Sequence, residues 1–315
     1  MGLKLTDEII AYGKMLIDGG ATYYNVSTAW KTMFGVDVNP ESVRYHLTRK
    51  EKPKLTIKDK LSEEGIEKVL VLSDLHIPYH RDDVLEIVRK HKDEITTLVL
   101  GGDILDCHGI SSFATLEPRP LVDEMAACHK ILKQIQDIIP DARKILIKGN
   151  HELRYEKYLC KATSELNKLH SDNILKEIVK GFEHNDRQNG KVIIYNKLDY
   201  EVVDSWYCQV NDMIVCHPLN FSRVGAKTAQ MSLDYFVEQG VDFNCCLVAH
   251  THKCSSTWKY GKYAVEIGAM CKPQEYANKG RLTYTQQLCG YHLATFRDGK
   301  YDVNESRNYL LKEEN

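Results

Sequence analysis

The sequence predicts an α/β fold preceded by a small helical unit, and three observations lead there. From Lys68 onward, short apolar runs alternate with stretches of helical spacing, and the later half is richer in the apolar runs. Five of these runs end in polar clusters: Asp74-Leu75-His76, Gly102-Asp103, Gly149-Asn150-His151-Glu152, His217 and His250-Thr251-His252. Residues 1–50 read instead as three short helices. Strand ends along one sheet edge are where such folds gather chemistry.

Composition sets the bounds. A chain of 315 residues has room for one large core and an accessory domain. Hydrophobic content of 43% and charged content of 27% belong to a soluble globular protein, and a formal net charge of -2 gives no global pull toward nucleic acid. No apolar run approaches the roughly 20 residues that span a bilayer, and the N-terminus lacks a signal-peptide core. Gly2 invites a myristoyl group, but Asp7 and Glu8 follow Thr6 and no second anchor accompanies it. Ten cysteines form no C-x-x-C pair, and Cys216, Cys245 and Cys246 lie in apolar runs. Buried free thiols and a reducing, cytoplasmic setting are expected, without a membrane partner.

In chain order, residues 5–17 form a helix capped by Thr6 and stopped at Gly19-Gly20, and residues 21–34 a second ending at Gly35. Asn39 and Pro40 start a third over 42–50. Three such helices resemble a helix-turn-helix module over residues 1–52, in which Arg44, His46, Arg49 and Lys50 would face DNA. A basic linker is expected at 53–66 and the main domain at 67–300. Within it, strands are expected at 69–73, 97–101, 145–148, 213–216 and 246–249, and helices at 82–91, 121–139, 152–169 and 227–239. Further strands are read at 192–196, 200–209, 255–260, 263–267 and 291–297. Asp298-Gly299 signals a hairpin, and residues 301–315 read as a C-terminal tail, frayed after Tyr309. The pattern suggests two packed sheets flanked by helices.

The polar clusters have the chemistry of a site for two divalent metals. Asp74 and His76, two apart on an extended chain, leave the same face, as do His250 and His252. Asp103 has oxygens enough to bridge two ions, Asn150 offers a neutral carbonyl, and His217 adds an imidazole. Oxygen and nitrogen donors without thiolate favour manganese, with iron or zinc as alternatives. Such a pair can share a bridging hydroxide and clamp an in-line displacement at phosphorus. His151 is the candidate proton donor to the leaving oxygen, and Asp106 the carboxylate that would orient it.

In this order the motifs Asp74-x-His76, Gly102-Asp103-x-x-Asp106, Gly149-Asn150-His151-Glu152, His217 and His250-x-His252 resemble the calcineurin-like metallophosphoesterase superfamily over residues 67–300. The resemblance implies a four-layer α/β/β/α sandwich with a dinuclear centre. It also implies that Asp74, His76, Asp103 and His252 hold one ion and Asp103, Asn150, His217 and His250 the other. Ala249 replaces a frequent glycine, and Cys107 stands where protein phosphatases of this type have arginine, which argues against a serine/threonine phosphatase. The wording around Asp74 to His80, Gly109 to Phe113 and Arg154 is similar to bacterial and phage phosphoesterases grouped with nucleic-acid enzymes.

The function expected is therefore a phosphoesterase using a metal-bridged hydroxide on nucleic acid, as a nuclease or an end-processing phosphatase. Arg223, Arg154 and His108 are candidate substrate contacts. Two alternatives stand beside it. One is a small-molecule or phosphoprotein phosphatase or cyclic phosphodiesterase whose helical unit serves assembly. The other is a DNA-binding regulator with a non-catalytic phosphoesterase fold, against which the full ligand set argues.

Overall fold

The structure, a computed structural model, describes residues 5–48, 56–112, 119–161, 171–186, 190–273 and 287–312. The chain divides into two compact units, residues 1–55 and 56–315.

The first unit holds three helices, α1 (Asp7–Asp18), α2 (Tyr23–Phe34) and α3 (Pro40–Thr48). Each has a local start signal. Thr6 accepts from the Ile9 N–H, Thr22 and Asn25 close a capping box, and Asn39 accepts from the Ser42 N–H at 2.7 Å. Gly35 ends α2 in the left-handed region at φ 67°. Val26, Trp30 and Val43 are fully buried between the helices. Gly13 is obligatory here, since a Cβ would stand 2.6 Å from the Trp30 ring.

The second unit begins with α4 (Ile57–Glu63), which corrects the expected linker at 53–66. Its N-terminus is set by a Thr56–Asp59 capping box that the lysines around it obscure. Next come β1 (Ile66–Leu72), α5 (Val84–His91), β2 (Thr97–Leu100), a 3-10 turn at His108–Ile110 and α6 (Leu121–Ile138). Then follow β3 (Arg143–Ile147), α7 (Leu153–Lys161), α8 (Ile174–Lys180), β4 (Phe182–Asp186) and β5 (Lys191–Tyr195). β6 (Glu201–Val203), β7 (Tyr207–Val210), β8 (Met213–Cys216), α9 (Lys227–Glu238) and β9 (Cys245–Val248) lead to the last strands. These are β10 (Cys254–Lys259), β11 (Lys262–Ile267), β12 (Cys289–Arg297), β13 (Lys300–Tyr301) and β14 (Arg307–Leu311).

One sheet has the order β13-β12-β1-β2-β3-β6 with β14 beside β12, and the other the order β10-β11-β9-β8-β7. Strand alternation produces the layers. In β1, Leu70 and Leu72 pack toward α5, α6 and α8, while Val69 and Val71 pack on Met213, Val215 and Leu247 of the other sheet. Beyond that sheet, Ile214, Cys246 and Val248 bury Leu233 and Phe236 of α9. The result is a four-layer α/β/β/α sandwich. A one-residue slip of β1 would exchange its two faces, and each Leu or Val fully buried there contributes roughly 1.5–3 kcal/mol.

Two expectations are corrected, and a third is tested only in part. The strand read at 200–209 is two strands in different sheets, because the chain crosses between them at Asp204 to Trp206, where Asn173 and Lys176 bind the Asp204 carboxylate. The tail at 301–315 is structured through residue 312: β14 pairs with β12 and stacks Tyr309 on Tyr291 at 4.7 Å. The helix read at 152–169 is described only as α7, and its remainder lies outside the described residues. Parallel pairing of β1, β2 and β3, and of β8 and β9, points the C-terminal ends of each set the same way. The site lies at those ends.

Candidate metal centre

Asp74 and His76 follow β1 with φ of 53° and 48°, Asp103 follows β2 at 47°, and His250 and His252 follow β9 at 74° and 51°. Left-handed backbone at a non-glycine residue costs energy, of order 1–3 kcal/mol. Five such residues together mark a surface held in shape by its surroundings. Two ties do the holding. The His250 N–H donates to both Asp74 oxygens at 3.2 and 3.1 Å, and the His76 N–H donates to the Asp103 carbonyl at 2.8 Å.

Glu152 is a third tie, a role that its position in the Gly-Asn-His-Glu run does not reveal. Its carboxylate is buried and accepts from the backbone N–H of Gly149 (2.8 Å), Asp103 (3.1 Å), Ile104 (2.8 Å) and Leu105 (2.9 Å). It therefore clips the loop after β3 to the loop after β2. The one available signal was a glutamate beside a candidate ligand with no ligand role of its own.

Around one point stand Asp74, His76, Asp103 and His252. His252 Nε2 is 3.3 Å from Asp74 Oδ1 and 3.3 Å from His76 Nε2, which is 3.7 Å from Asp103 Oδ2. Donors bound at about 2.0–2.2 Å to a common cation lie about 3.0–3.5 Å apart, so this spacing suits an ion. His76 Nδ1 donates to Asp106 Oδ1 at 2.9 Å, which turns the Nε2 lone pair inward. His252 has Cys271 Sγ 4.0 Å from its outer nitrogen.

Asp103, Asn150, His217 and His250 make a second group. His217 Nε2 is 3.0 Å from Asn150 Oδ1 and 3.4 Å from Asp103 Oδ1, while its Nδ1 donates to the Gly101 carbonyl at 2.9 Å. In the neutral imidazole that tautomer aims a lone pair at a carbonyl oxygen, which is repulsive unless a proton or a metal cation lies between them. His250 Nε2 is buried with no hydrogen-bond partner. An orphaned buried acceptor among inward-facing donors fits a divalent cation. The residues present fit two such ions, with Asp103 facing both groups.

The charges agree. Burial pushes the His217 imidazole toward neutrality, but the Asp103 and Asp74 carboxylates override it and raise its pKa to about 10. Burial would raise the Asp74 carboxyl, yet His252 and His217 hold it at about 2. His250 is lowered to about 4 by burial and by charge on His217. The field that holds these protons is the one a metal would meet.

His151 borders the first group, with Nε2 3.8 Å from Asp103 Oδ2. Its Nδ1 faces the Asp106 carbonyl at 2.8 Å and Asp106 Oδ1 at 3.1 Å. Burial disfavours its charged form, but Asp103 and Asp106 prevail and raise its pKa. Arg154 donates to His151 Nε2 and to the Asp106 carbonyl, both at 2.9 Å, so it lies at the centre's edge. His108 is half-buried, 3.7 Å from Asp106 Oδ2. Arg223 is exposed, on the loop between β8 and α9. In the other unit Arg44 is exposed and His46 is half-buried against Tyr45, while Arg49 and Lys50 lie outside the described residues.

A family model described as calcineurin-like phosphoesterase matches residues 67–254. No curated protein matches the sequence. Among solved structures, vacuolar protein sorting 29 from Cryptosporidium parvum is 12% identical, with 79% of this chain and 99% of that one covered and a TM-score of 0.37. A metallophosphoesterase from Sphaerobacter thermophilus is 13% identical over 78% and 89% of the two chains, with a TM-score of 0.36. An archaeal phosphodiesterase is 15% identical over 78% and 99%, also at 0.36.

Proposed function

Because this chain belongs to the calcineurin-like phosphoesterase family, we propose that it hydrolyses phosphate esters at a pair of divalent cations. One observation supports this above the others: His217 Nε2 and Asn150 Oδ1 converge at 3.0 Å beside the unpartnered His250 Nε2. Asp74, His76, Asp103 and His252 would hold one ion, and Asp103, Asn150, His217 and His250 the other. When bound, such ions supply positive charge to a phosphoryl group and acidify water. The absence of thiolate from these two donor sets supports manganese, then iron or zinc.

The protein's own groups divide the remaining work. His151 would protonate the leaving oxygen through Nε2, with its Nδ1 proton held by the Asp106 carbonyl and carboxylate. Arg154 now occupies Nε2 and would turn its guanidinium to the phosphoryl oxygens as substrate arrives. Asp106 also orients His76, so it positions a candidate ligand and the proton donor together.

For the substrate we favour nucleic acid or a nucleotide derived from it. The three-helix unit, with a proline-started third helix bearing exposed Arg44, supports this reading. Ten free cysteines support a reducing compartment, the cytoplasm. Among the described residues, no helix is long and apolar enough to cross a membrane.

The test is hydrolysis of p-nitrophenyl phosphate and of its bis-ester by the purified protein with manganese, iron or zinc. Turnover lost in His217→Ala and His151→Ala, with metal content lost only in the former, is expected. A wild-type protein that binds metal and cleaves neither ester would overturn the proposal.

A further inference from the structure

A cavity of about 990 Å³ opens beside the second ligand group, with Gly149 and His217 in its wall. It is bounded by the loop after β3, by the crossing between β6 and β7, and by α9. Trp206 connects it to the site directly, because its carbonyl accepts from the His217 N–H at 2.8 Å. The Trp206 ring is half-buried, stacked on Phe236 at 5.3 Å and edge-on to Tyr235 at 5.4 Å.

The wall combines flat apolar surface with polar edges. Leu219, Met231 and Tyr235 line it while remaining 58%, 44% and 44% exposed. Two further apolar side chains, Phe221 and Val224, are exposed on the loop that carries Leu219, and the Phe221 ring meets His250 at 5.2 Å. Large apolar side chains gathered beside a polar centre mark a contact surface. Asn220, Ser205 and Ser232 add amide and hydroxyl groups.

The charges in the wall are compensated. Lys148 is paired with Glu156 at 3.2 Å, and Asp204 binds Lys176 and Asn173. A phosphodiester backbone needs unpaired cations along its path, and the lysine in this wall is already paired. An uncharged ring with hydrogen-bonding edges suits it better.

We infer that this cavity receives the nucleoside part of a nucleotide phosphate ester whose phosphate lies at Asp103, Asn150 and His217. The inference rests on the phosphoesterase reading above and narrows its substrate. Stacking against such a surface contributes about 1–3 kcal/mol per base. The volume admits a nucleoside with space remaining, and ester and base are then engaged at once.

Adenosine has no phosphate, so calorimetric titration of the full-length protein with adenosine reads the cavity alone. Saturable binding is expected, at least tenfold tighter than that of ribose. Met231→Glu and Leu219→Glu, both at exposed positions, should each raise the adenosine Kd at least tenfold with the circular dichroism spectrum unchanged. Adenosine binding no tighter than ribose binding, or unmoved by both substitutions, overturns the inference. Turnover of p-nitrophenyl phosphate and of its bis-ester is measured on the same preparation. Absence of both would sink the phosphoesterase reading, while failure of adenosine binding alone would sink only the cavity assignment.

Discussion

Asp106 Oδ1 stands 2.9 Å from His76 Nδ1 and 3.1 Å from His151 Nδ1, so one buried carboxylate oxygen serves a candidate metal ligand and the candidate proton donor together. The two rings meet edge to face at 4.4 Å. Any change at this oxygen must reach both functions.

Asp106→Asn tests that coupling. An amide oxygen at the same point can still face both imidazoles, but it is a weaker acceptor and carries no charge to favour a protonated His151. Partners of this kind are worth 10–100-fold in metal affinity or activity. We expect kcat to fall at least tenfold and metal affinity to fall with it, measured by turnover and by metal titration. Loss of kcat with unchanged metal affinity would show that Asp106 serves His151 alone.

Glu152→Gln should loosen the same centre from another side. The carboxylate satisfies four backbone N–H groups with two oxygens. An amide would set its NH₂ against the donors of one former oxygen, leaving two buried N–H groups unsatisfied. Each costs about 1–3 kcal/mol. A fall in the urea midpoint of metal-free protein worth about 2–4 kcal/mol is expected, together with weaker metal binding. An unchanged midpoint would mean that the clip between the two loops carries no stability.

These residues show what was legible in the sequence. Ligand-type residues at the ends of apolar runs are readable because strand ends converge by topology, and the family was legible from the same clusters, whereas the strand order was not. Glu152 was not, because three of its partners are backbone groups 47 to 49 positions away, which no side-chain pattern reports. The double duty of Asp106 depends on where β1 and β3 place their following loops. Lysines around Thr56 and Asp59 hid α4, and β14 reads as polar because only one of its faces packs against the core.

Metal uptake should release protons. His217 is held protonated up to about 10 by Asp103 and Asp74 against its own burial, whereas a ligating imidazole must be neutral. At pH 7 the incoming ion displaces that proton, so affinity should rise about tenfold per pH unit for each proton displaced. Manganese titration in buffers of different ionisation enthalpy should show a release near one proton or more at pH 7. No release, with affinity flat from pH 6 to 8, would remove His217 from the ligand set.

Outside the candidate ligand set, His292 on β12 predicts an acid-sensitive core. It is 1% exposed, with Nδ1 3.3 Å from Asn308 Oδ1 and Nε2 3.1 Å from the Tyr301 hydroxyl, so the neutral ring has partners at both nitrogens. Burial lowers its pKa to about 4, against about 6.5 for an unperturbed histidine. Between those values the unfolded chain binds a proton that the folded chain refuses. Stability from this residue is therefore complete above pH 6.5 and is lost as the pH falls toward 4, on the order of 3 kcal/mol in all. His250, lowered to about 4, and Glu152, raised to about 6 by burial and by Asp103, also titrate in this range, so the comparison must be differential. In urea unfolding of metal-free protein from pH 7.5 to 4.5, His292→Gln should flatten the loss of stability by that amount relative to wild type. Parallel pH profiles for the two proteins would place the acid sensitivity elsewhere.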